Sequence, residues 1–334
     1  MRRASPGINV IDVDFPDPAI LLQGSTWYAY ATSSNSMRFI FLAHKPLPAS
    51  KMLDDLQPHM ATAPAFEGPW TVAGDAMPDI SAATWLDQGN PQTWAPDVVD
   101  MGDGTYIMYF AGLAANPPGG KASHCVGVAK GTSAAGPFVP LADTLFGCPF
   151  SGGGAIDPAG FKDTDGTRYV VYKVDGNNLG GGGNCGNGDG SHATPIMLQK
   201  LQSDGITPDG DPFQILNRDP NGADGPYIEA PSLRLVDGMY YLSFSSGCYC
   251  DDTYDISYAT STLLQNTFTK AQAPNAPLAV SKTGVGNSPG GADLNMHGNK
   301  IAFHYTISGS CGDPLVRGMR VANVTTGGGT IHFV

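Results

Sequence analysis

Residues 232–245 have the sequence Ser-Leu-Arg-Leu-Val-Asp-Gly-Met-Tyr-Tyr-Leu-Ser-Phe-Ser, and this stretch decides the fold. Two runs with alternating apolar residues flank Asp237-Gly238. An Asp-Gly pair between such runs predicts a β-hairpin, because both turn residues must adopt positive φ angles. The second run, Met239–Ser245, is rich in aromatic residues. The stretch therefore predicts two adjacent antiparallel strands.

The same hairpin recurs four more times along the 334 residues. The predicted pairs are 19–22 with 26–32, 97–100 with 105–111, 159–162 with 167–173, 232–236 with 239–245, and 292–296 with 300–306. Polar third strands are predicted at 122–130, 196–201, 256–260 and 316–321. Repeated units of this kind are propeller blades, whereas a β-sandwich would show shorter, more even spacing. We therefore predict an all-β fold, a single-domain five-bladed β-propeller spanning residues 1–334.

Composition excludes several classes of function. The chain has 18 Lys and Arg against 30 Asp and Glu, a formal net charge of −12. This charge argues against a nucleic-acid partner, because phosphates attract Lys and Arg. No stretch approaches the ~18 consecutive apolar residues of a membrane span, so no membrane partner is expected. The composition suits a soluble extracellular protein that acts on a neutral substrate.

The six cysteines indicate disulfides and an oxidising compartment, because none has zinc-site spacing. Cys125 and Cys148 bracket one predicted strand pair and are expected to bridge. The pairing of the other four stays open, although Cys248 and Cys250 are too close to pair with each other. We expect a secreted protein. Because the first six residues lack an apolar segment, we interpret the chain as a mature form without its leader.

Acidic residues recur beside proline near the first strand of successive hairpins. The segments are Phe15-Pro16-Asp17-Pro18, Trp94-Ala95-Pro96-Asp97, Ile156-Asp157-Pro158 and Glu229-Ala230-Pro231. In a propeller the first strand of each blade lines the central channel, so equivalent positions converge on one axis. Proline suits a strand start because it locks φ and removes a donor. A lone Asp-Pro is usually a turn, but the repetition predicts that Asp17, Asp157 and Glu229 share one pocket.

Three converging acids without a metal motif predict glycoside hydrolysis. That reaction needs one protonated carboxyl at the leaving oxygen and one ionised carboxylate near the anomeric carbon. Inverting enzymes hold the two about 6.5–9.5 Å apart, and retaining enzymes about 5–5.5 Å. Placement on well-separated blades favours the wider gap and thus inversion. A third carboxylate beside the acid raises its pKa by like-charge repulsion.

These motifs resemble those of glycoside hydrolase family 43, a family of five-bladed propellers that includes arabinanases, α-L-arabinofuranosidases and β-xylosidases. The resemblance covers nearly the whole chain. It implies an inverting hydrolase of α-L-arabinofuranosyl bonds in arabinan or arabinoxylan. It further implies that Asp17 is the general base, Glu229 the general acid and Asp157 the third acid, which raises the pKa of Glu229 and orients it. Asp14 is the less suitable base, because it does not directly precede a proline.

The resemblance also implies substrate-binding residues and bears on a metal. Trp94 is expected to face the sugar, with packing between blades as the alternative. Phe15 is a weaker candidate for that role. His304 is either substrate-binding or a buried core histidine. Segment 288–293 lacks the His that holds an axial metal in many family members, so no cofactor is required and a structural calcium is not supported.

Several alternatives stay open. One is another specificity of the same family, such as β-xylosidase or galactanase. A retaining invertase-like fructosidase would use an Arg-Asp-Pro motif, but we interpret Arg218-Asp219-Pro220 as a turn. A non-catalytic carbohydrate-binding propeller is a further alternative. We expect a carbohydrate substrate and a monomeric protein. Segment 175–192, nearly all Gly, Asn and Asp, is expected to be a surface loop, either disordered or beside the substrate.

Overall fold

The computed structural model describes residues 7–33, 58–294 and 299–334. Within these ranges the chain forms β-strands, three short 3₁₀ helices and no α-helix. The strands group into five antiparallel sheets, and the first strands of neighbouring sheets contact one another around a ring. The predicted five-bladed β-propeller is confirmed.

The strands are numbered in chain order, and β1 (Ile8–Ile11) comes first. Blade I contains β2 (Ala19–Gln23), β3 (Thr26–Ala31), β4 (His59–Ala63) and β5 (Thr71–Asp75). Blade II contains β6 (Trp94–Asp100), β7 (Tyr106–Leu113), β8 (His124–Gly131) and β9 (Val139–Pro140). Blade III contains β10 (Ala155–Lys162), β11 (Arg168–Val174), β12 (Ile196–Leu201) and β13 (Phe213–Leu216).

Blade IV contains β14 (Ile228–Val236), β15 (Met239–Ser246), β16 (Asp255–Ser261), β17 (Thr269–Lys270) and β18 (Ala279–Val280). Blade V contains β19 (Asn287–Asp293), β20 (Lys300–Ser308), β21 (Val316–Gly327) and β22 (Thr330–Phe333). The 3₁₀ helices are Pro118–Gly120, Phe150–Gly152 and Gly176–Asn178.

The observed first strands start earlier than predicted. Strand β6 begins at residue 94 instead of 97, β10 at 155 instead of 159, and β14 at 228 instead of 232. An irregularity in strand pairing interrupts each of these strands. The alternation of apolar and polar residues is therefore clear only after the irregularity. In blade V the strand covers 287–293 instead of 292–296. Residues 295–298, which include the end of the predicted strand and the predicted turn residue His297, lie outside the described residues. The third strand of blade I, β4, was not predicted.

The two ends of the chain meet in blade V. Strand β1 pairs antiparallel with β21, so the N-terminal strand forms one edge of the last blade. Arg320 on β21 reinforces the pairing, because its guanidinium donates to Asn9 Oδ1 and to the Gly7 carbonyl, both at 2.9 Å. This pairing joins the ends of the ring through backbone hydrogen bonds and covers a strand edge that would otherwise be exposed.

Five clusters of buried apolar residues form the core, one at each interface between neighbouring blades. The second strand of a blade contributes side chains to the interfaces on both faces of that blade. Tyr109 on β7 packs toward blade III, while its neighbour Phe110 packs toward blade I, and both are almost completely buried. Successive side chains on a strand point to opposite faces, so one aromatic-rich strand fills two interfaces. This geometry explains the aromatic repeat in the sequence.

All six cysteines form disulfides. Cys125 pairs with Cys148 as predicted. The other bridges join Cys185 to Cys248 and Cys250 to Cys311. Both of these bridges connect loops of neighbouring blades. In the described part of the chain, no helix has the length and apolar character needed to cross a bilayer.

Candidate active site

Each blade has a kink beside the central channel, on its innermost strand in blades II to V and just before that strand in blade I. One residue per blade has a positive φ angle there, namely Asp17 (53°), Ala95 (41°), Asp157 (54°), Ala230 (50°) and Gly291 (54°). Proline follows in four of the five blades. The strand pairing shifts at this point in blades II to V. Such bulges redirect side chains, and residues in the left-handed region are uncommon outside functional or strained sites.

The structure differs from the predicted repeat in the positions of the acids relative to the kink. Asp17 and Asp157 occupy the kink position itself, but Glu229 precedes it by one residue and Asp97 follows it by two. The acids are therefore not strictly equivalent. Asp17, Asp157 and Glu229 nevertheless line the same cleft, whose volume is about 610 Å³. Asp97 does not line this cleft. It lines the central channel, to which Asp17 and Asp157 also contribute.

Asp17 is surrounded by groups that stabilise its ionised form. Its Oδ2 accepts a 2.7 Å hydrogen bond from the Thr32 hydroxyl, and its Oδ1 lies 3.4 Å from Nη1 of Arg317. Burial alone would raise the pKa of Asp17. The charge of Arg317 and then the contact with His304 outweigh burial and hold that pKa well below its ordinary value. The carboxylate therefore stays ionised at neutral pH.

His304 supports Asp17 and does not face the cleft. Its ring is completely buried, and its Nδ1 lies 3.2 Å from the Asp17 backbone nitrogen. The same nitrogen lies 3.1 Å from Asp17 Oδ1, and the tautomer with its proton on Nδ1 donates to this carboxylate. Burial lowers the pKa of His304 in spite of the neighbouring carboxylate, which favours a neutral ring. His304 is thus a buried histidine beside Asp17, one of its two predicted roles, and its ring has no surface in the cleft.

Glu229 is held by two donors, Lys173 on β11 and Tyr254 in the loop directly before β16. Nζ of Lys173 lies 2.8 Å from Oε2, and the Tyr254 hydroxyl donates to Oε1 at 2.7 Å. Lys173 is completely buried and also contacts Asp175 at 3.1 Å. Burial lowers the pKa of Lys173, but Glu229 and then Asp175 raise it above the ordinary value, so the amine remains charged. Both contacts to Glu229 suit an anionic acceptor.

Asp157 has the opposite electrostatic setting from Asp17. Its Oδ2 accepts a 2.9 Å hydrogen bond from the Ala230 backbone N–H, directly beside Glu229. Burial and then the charge of Glu229 raise the pKa of Asp157 well above its ordinary value, although Lys173 opposes this shift. Burial beside a second carboxylate therefore favours the protonated form of Asp157. The structure thus favours a proton on Asp157, next to Glu229.

The two predicted aromatic contacts have different outcomes. Trp94 lines the cleft and stacks on His124, with ring centroids 3.6 Å apart. Phe15 has no exposed surface and packs in the core between blades V and I. Its ring cannot contact a sugar in this conformation. The reason is local, because the kink at Asp17 turns the carboxylate toward the cleft while Phe15 points into the core.

The Gly-rich segment is an ordered wall of the cleft. Asn177, Asn178, Asn184 and Cys185 are among the residues that line it. Arg218 supports the segment, because its Nη1 donates to the Gly190 carbonyl at 3.1 Å. The Arg218-Asp219-Pro220 motif lies outside the cleft, and the Gly222 backbone N–H closes a turn onto the Asp219 carbonyl. The motif is a turn, as predicted.

The described residues do not fit an axial metal held by a histidine at the start of the last blade. A Cβ added at Gly291 would lie 2.7 Å from both Asp17 Oδ1 and His304 Nδ1, so no imidazole fits at this position. The cysteine groupings close enough to hold a metal are all disulfide-bonded and offer no thiolates. We therefore derive no step through a metal ion.

Sequence patterns did not indicate the basic and hydroxyl residues that complete the site. Lys173 ends an aromatic strand, and Arg317 begins a polar third strand. A lysine directly after four largely apolar residues was a detectable irregularity, because burying a charge requires a partner. Tyr254 packs directly over Gly290, where any Cβ would lie 1.9 Å from the ring. No local pattern reveals such a contact between blades.

The cleft of this five-bladed propeller is lined by five acidic residues, namely Asp17, Asp157, Glu229, Asp14 and Asp175, and by two cations. Such an acid-rich cleft is typical of carbohydrate-cleaving enzymes. The family model described as "Glycosyl hydrolases family 43" matches residues 7–326. The chain belongs to this family, and it is a glycoside hydrolase.

Individual relatives agree with this membership. The chain is 24% identical over 311 residues to "Extracellular endo-alpha-(1->5)-L-arabinanase 1" of Bacillus subtilis (strain 168), covering 89% of this chain and 82% of that protein. It is 29% identical over 285 residues to "Probable arabinan endo-1,5-alpha-L-arabinosidase C" of Aspergillus niger, covering 82% and 74%. The solved structure of a thermostable family-43 glycoside hydrolase superimposes with a TM-score of 0.71 at 20% identity, covering 99% and 95%.

Proposed function

We propose that this enzyme hydrolyses α-L-arabinofuranosyl bonds in arabinan or arabinoxylan with inversion of the anomeric configuration. One observation carries the proposal. The cleft holds an ionised carboxylate, Asp17, together with Asp157, whose protonated form is favoured and which lies beside Glu229. Glycosidic cleavage by acid and base needs this division of protonation states.

Asp17 is the proposed general base. Its low pKa keeps it ionised, so it is available to accept a proton from water at neutral pH. The water oxygen attacks the anomeric carbon, and its proton passes to Asp17. The same negative charge stabilises the positive charge that develops on the sugar ring. Arg317 and His304 fix the orientation of this carboxylate.

Glu229 is the proposed general acid, and Asp157 its partner. As the glycosidic C–O bond breaks, the leaving oxygen takes a proton from Glu229. In the free enzyme the contacts of Lys173 and Tyr254 favour the anionic form of Glu229, with the proton on Asp157. The pair as a whole therefore holds the catalytic proton, and substrate binding shifts it to Glu229. Trp94 is the proposed sugar-facing aromatic.

The substrate class is inferred from the relatives. The Bacillus subtilis and Aspergillus niger proteins carry the names of enzymes that act on arabinan. The net charge of −12 suits a neutral polysaccharide and not a polyanion. Three disulfides and the extracellular Bacillus subtilis relative support a secreted protein, which we propose acts as a monomer without a cofactor.

The test is hydrolysis of debranched arabinan, p-nitrophenyl α-L-arabinofuranoside and p-nitrophenyl β-D-xyloside by the purified protein. The proposal predicts reducing sugar from arabinan and a higher kcat/KM on the arabinofuranoside than on the xyloside. Preference for the xyloside would overturn the arabinofuranosyl specificity while leaving glycoside hydrolysis intact.

A further inference from the structure

One exposed aromatic residue at the cleft, Tyr249, has no role in the proposed chemistry. Its side chain is 41% exposed, which is unusual for an aromatic in this chain. Of the large apolar side chains that are exposed in the described ranges, Tyr249 is the one that lines the cleft. An exposed aromatic at a concave polar site is a common element of ligand recognition.

The backbone on both sides of Tyr249 is covalently fixed. Cys248 is bonded to Cys185 in the Gly-rich wall of the cleft, and Cys250 is bonded to Cys311 in blade V. Both flanking cysteines are buried. Two of the three disulfides therefore meet on either side of a single exposed ring. A general stabilising role explains a disulfide between distant loops, but it does not explain this placement.

Hydrogen bonds add to this rigidity. The Tyr249 backbone N–H donates to the hydroxyl of Tyr227 at 3.0 Å. The Tyr227 hydroxyl in turn lies 3.3 Å from Cys185 Sγ. The Cys311 N–H donates to the Cys250 carbonyl at 3.1 Å. A residue on so constrained a backbone loses little backbone conformational entropy when it binds a ligand.

The ring of Tyr249 lies close to the proposed base. The guanidinium carbon of Arg317 is 5.4 Å from the ring centroid, and Nη1 of the same arginine is 3.4 Å from Asp17 Oδ1. One side chain therefore separates Tyr249 from the carboxylate that activates water. Trp94 approaches the cleft from blade II, so the cleft has an aromatic ring on two different blades.

We propose that Tyr249 is a carbohydrate-stacking platform that binds the sugar unit next to the one being cleaved, and that the two flanking disulfides hold it in place. The C–H face of a sugar ring packs on an aromatic face as other apolar groups do, and the ring hydroxyls remain solvated at the edges. This proposal rests on the function proposed above. It assigns that cleft an oligosaccharide substrate instead of a lone terminal sugar.

The test measures binding without turnover. In the Asp17→Asn background, titration calorimetry with arabinohexaose and with xylohexaose first identifies the hexasaccharide that binds. Adding Tyr249→Ala is expected to weaken its Kd about tenfold, whereas Tyr249→Phe keeps the ring and stays within about twofold. Phe213→Ala is the matched control, because Phe213 is 39% exposed and lies outside the cleft. It should leave Kd unchanged.

The active enzyme provides the second measurement. Tyr249→Ala is expected to raise KM for the hexasaccharide about tenfold with kcat within about twofold, as for loss of uniform binding. Unchanged Kd and KM in Tyr249→Ala would overturn the platform, and unchanged arabinan hydrolysis would then leave the proposed function standing. Binding and cleavage of xylohexaose alone would overturn the arabinan specificity. The platform would then be tested by the effect of Tyr249→Ala on the Kd for xylohexaose. No binding of either sugar would overturn the platform.

Discussion

Two sets of carboxylates lie on the innermost strands of this propeller, and they differ in the charges around them. The cleft set, Asp17, Asp157 and Glu229, receives the cations of Arg317 and Lys173. In the channel, Asp97 interacts with another acid, Asp293. Burial and then the charge of Asp293 raise the pKa of Asp97 to about 7.

The repeated strand therefore brings acids together, but it does not by itself make a catalytic site. The difference comes from Lys173 on β11 and Arg317 on β21, which lie outside the innermost strands. Against the effect of burial, Arg317 keeps Asp17 ionised, whereas Lys173 binds Glu229 and opposes, without cancelling, the raised pKa of Asp157. The predictions below test whether this electrostatic contrast separates the two sets.

The largest expected effect distinguishes Asp17 from Asp97. Asp17→Asn should lower kcat about 10³- to 10⁴-fold on natural and activated glycosides alike, because no other group is proposed to activate water. Asp97→Asn should keep wild-type kcat, since its side chain does not line the cleft that holds Asp17, Asp157 and Glu229. Steady-state kinetics of both variants measures the contrast. Equal losses would contradict the division into two sets.

The next effect separates acid from base within the cleft. Glu229→Gln should lower kcat/KM on natural glycosides about 10²- to 10³-fold, and much less on aryl glycosides with good leaving groups, which need little acid assistance. Circular dichroism should show an intact fold. The same loss on both substrate types would remove Glu229 from the acid role, and a leaving-group dependence in Asp157→Asn instead would transfer that role to Asp157.

A smaller effect concerns Lys173. Its positive charge lowers the pKa of Asp157, so Lys173→Met should raise that pKa further. The carboxyl pair would then keep its proton to higher pH, and the alkaline limb of the kcat/KM profile should move up by about one pH unit. Lys200→Met provides the control, because Lys200 forms an exposed ion pair with Asp209. A profile that stays in place in Lys173→Met would show that this lysine has only a structural role.

The smallest effect is on stability. Between the unfolded pKa of Asp97, 3.8, and its folded pKa of about 7, the native state binds a proton that the unfolded state has released. Stability therefore falls as pH rises through this window. Asp97→Asn removes the penalty and should raise Tm by about 2 °C at pH 8, with little change at pH 4.5. Thermal melts of Asp97→Asn and the wild type at the two pH values measure this difference. A lower Tm for the variant at pH 8 would contradict the proposed penalty at Asp97.

Most of the fold could be predicted from sequence patterns. The Asp-Gly turns and the aromatic second strands located the hairpins, because those features depend on local backbone geometry and on side-chain alternation. Strand β1 could not be predicted in the same way. Its pairing with β21 depends on ring closure between the two ends of the chain.

The site was predictable only in part. The acids next to proline were detectable because the kink recurs in each blade. Phe15 was placed wrongly, since neighbouring residues at a bulge point in directions that the sequence pattern does not give. Lys173, Arg317 and Tyr254 reach the cleft from segments other than the innermost strands. Their positions follow from how the blades pack, which no local pattern encodes.

Proton NMR of the first-formed product tests the central claim most directly. The enzyme is mixed with a linear α-1,5-linked arabino-oligosaccharide, and the anomeric signals are followed before mutarotation equilibrates them. If Asp17 delivers water to the face opposite the leaving oxygen, the β-anomer appears first. Early accumulation of the α-anomer would contradict the account, because retention requires a carboxylate that attacks the sugar itself.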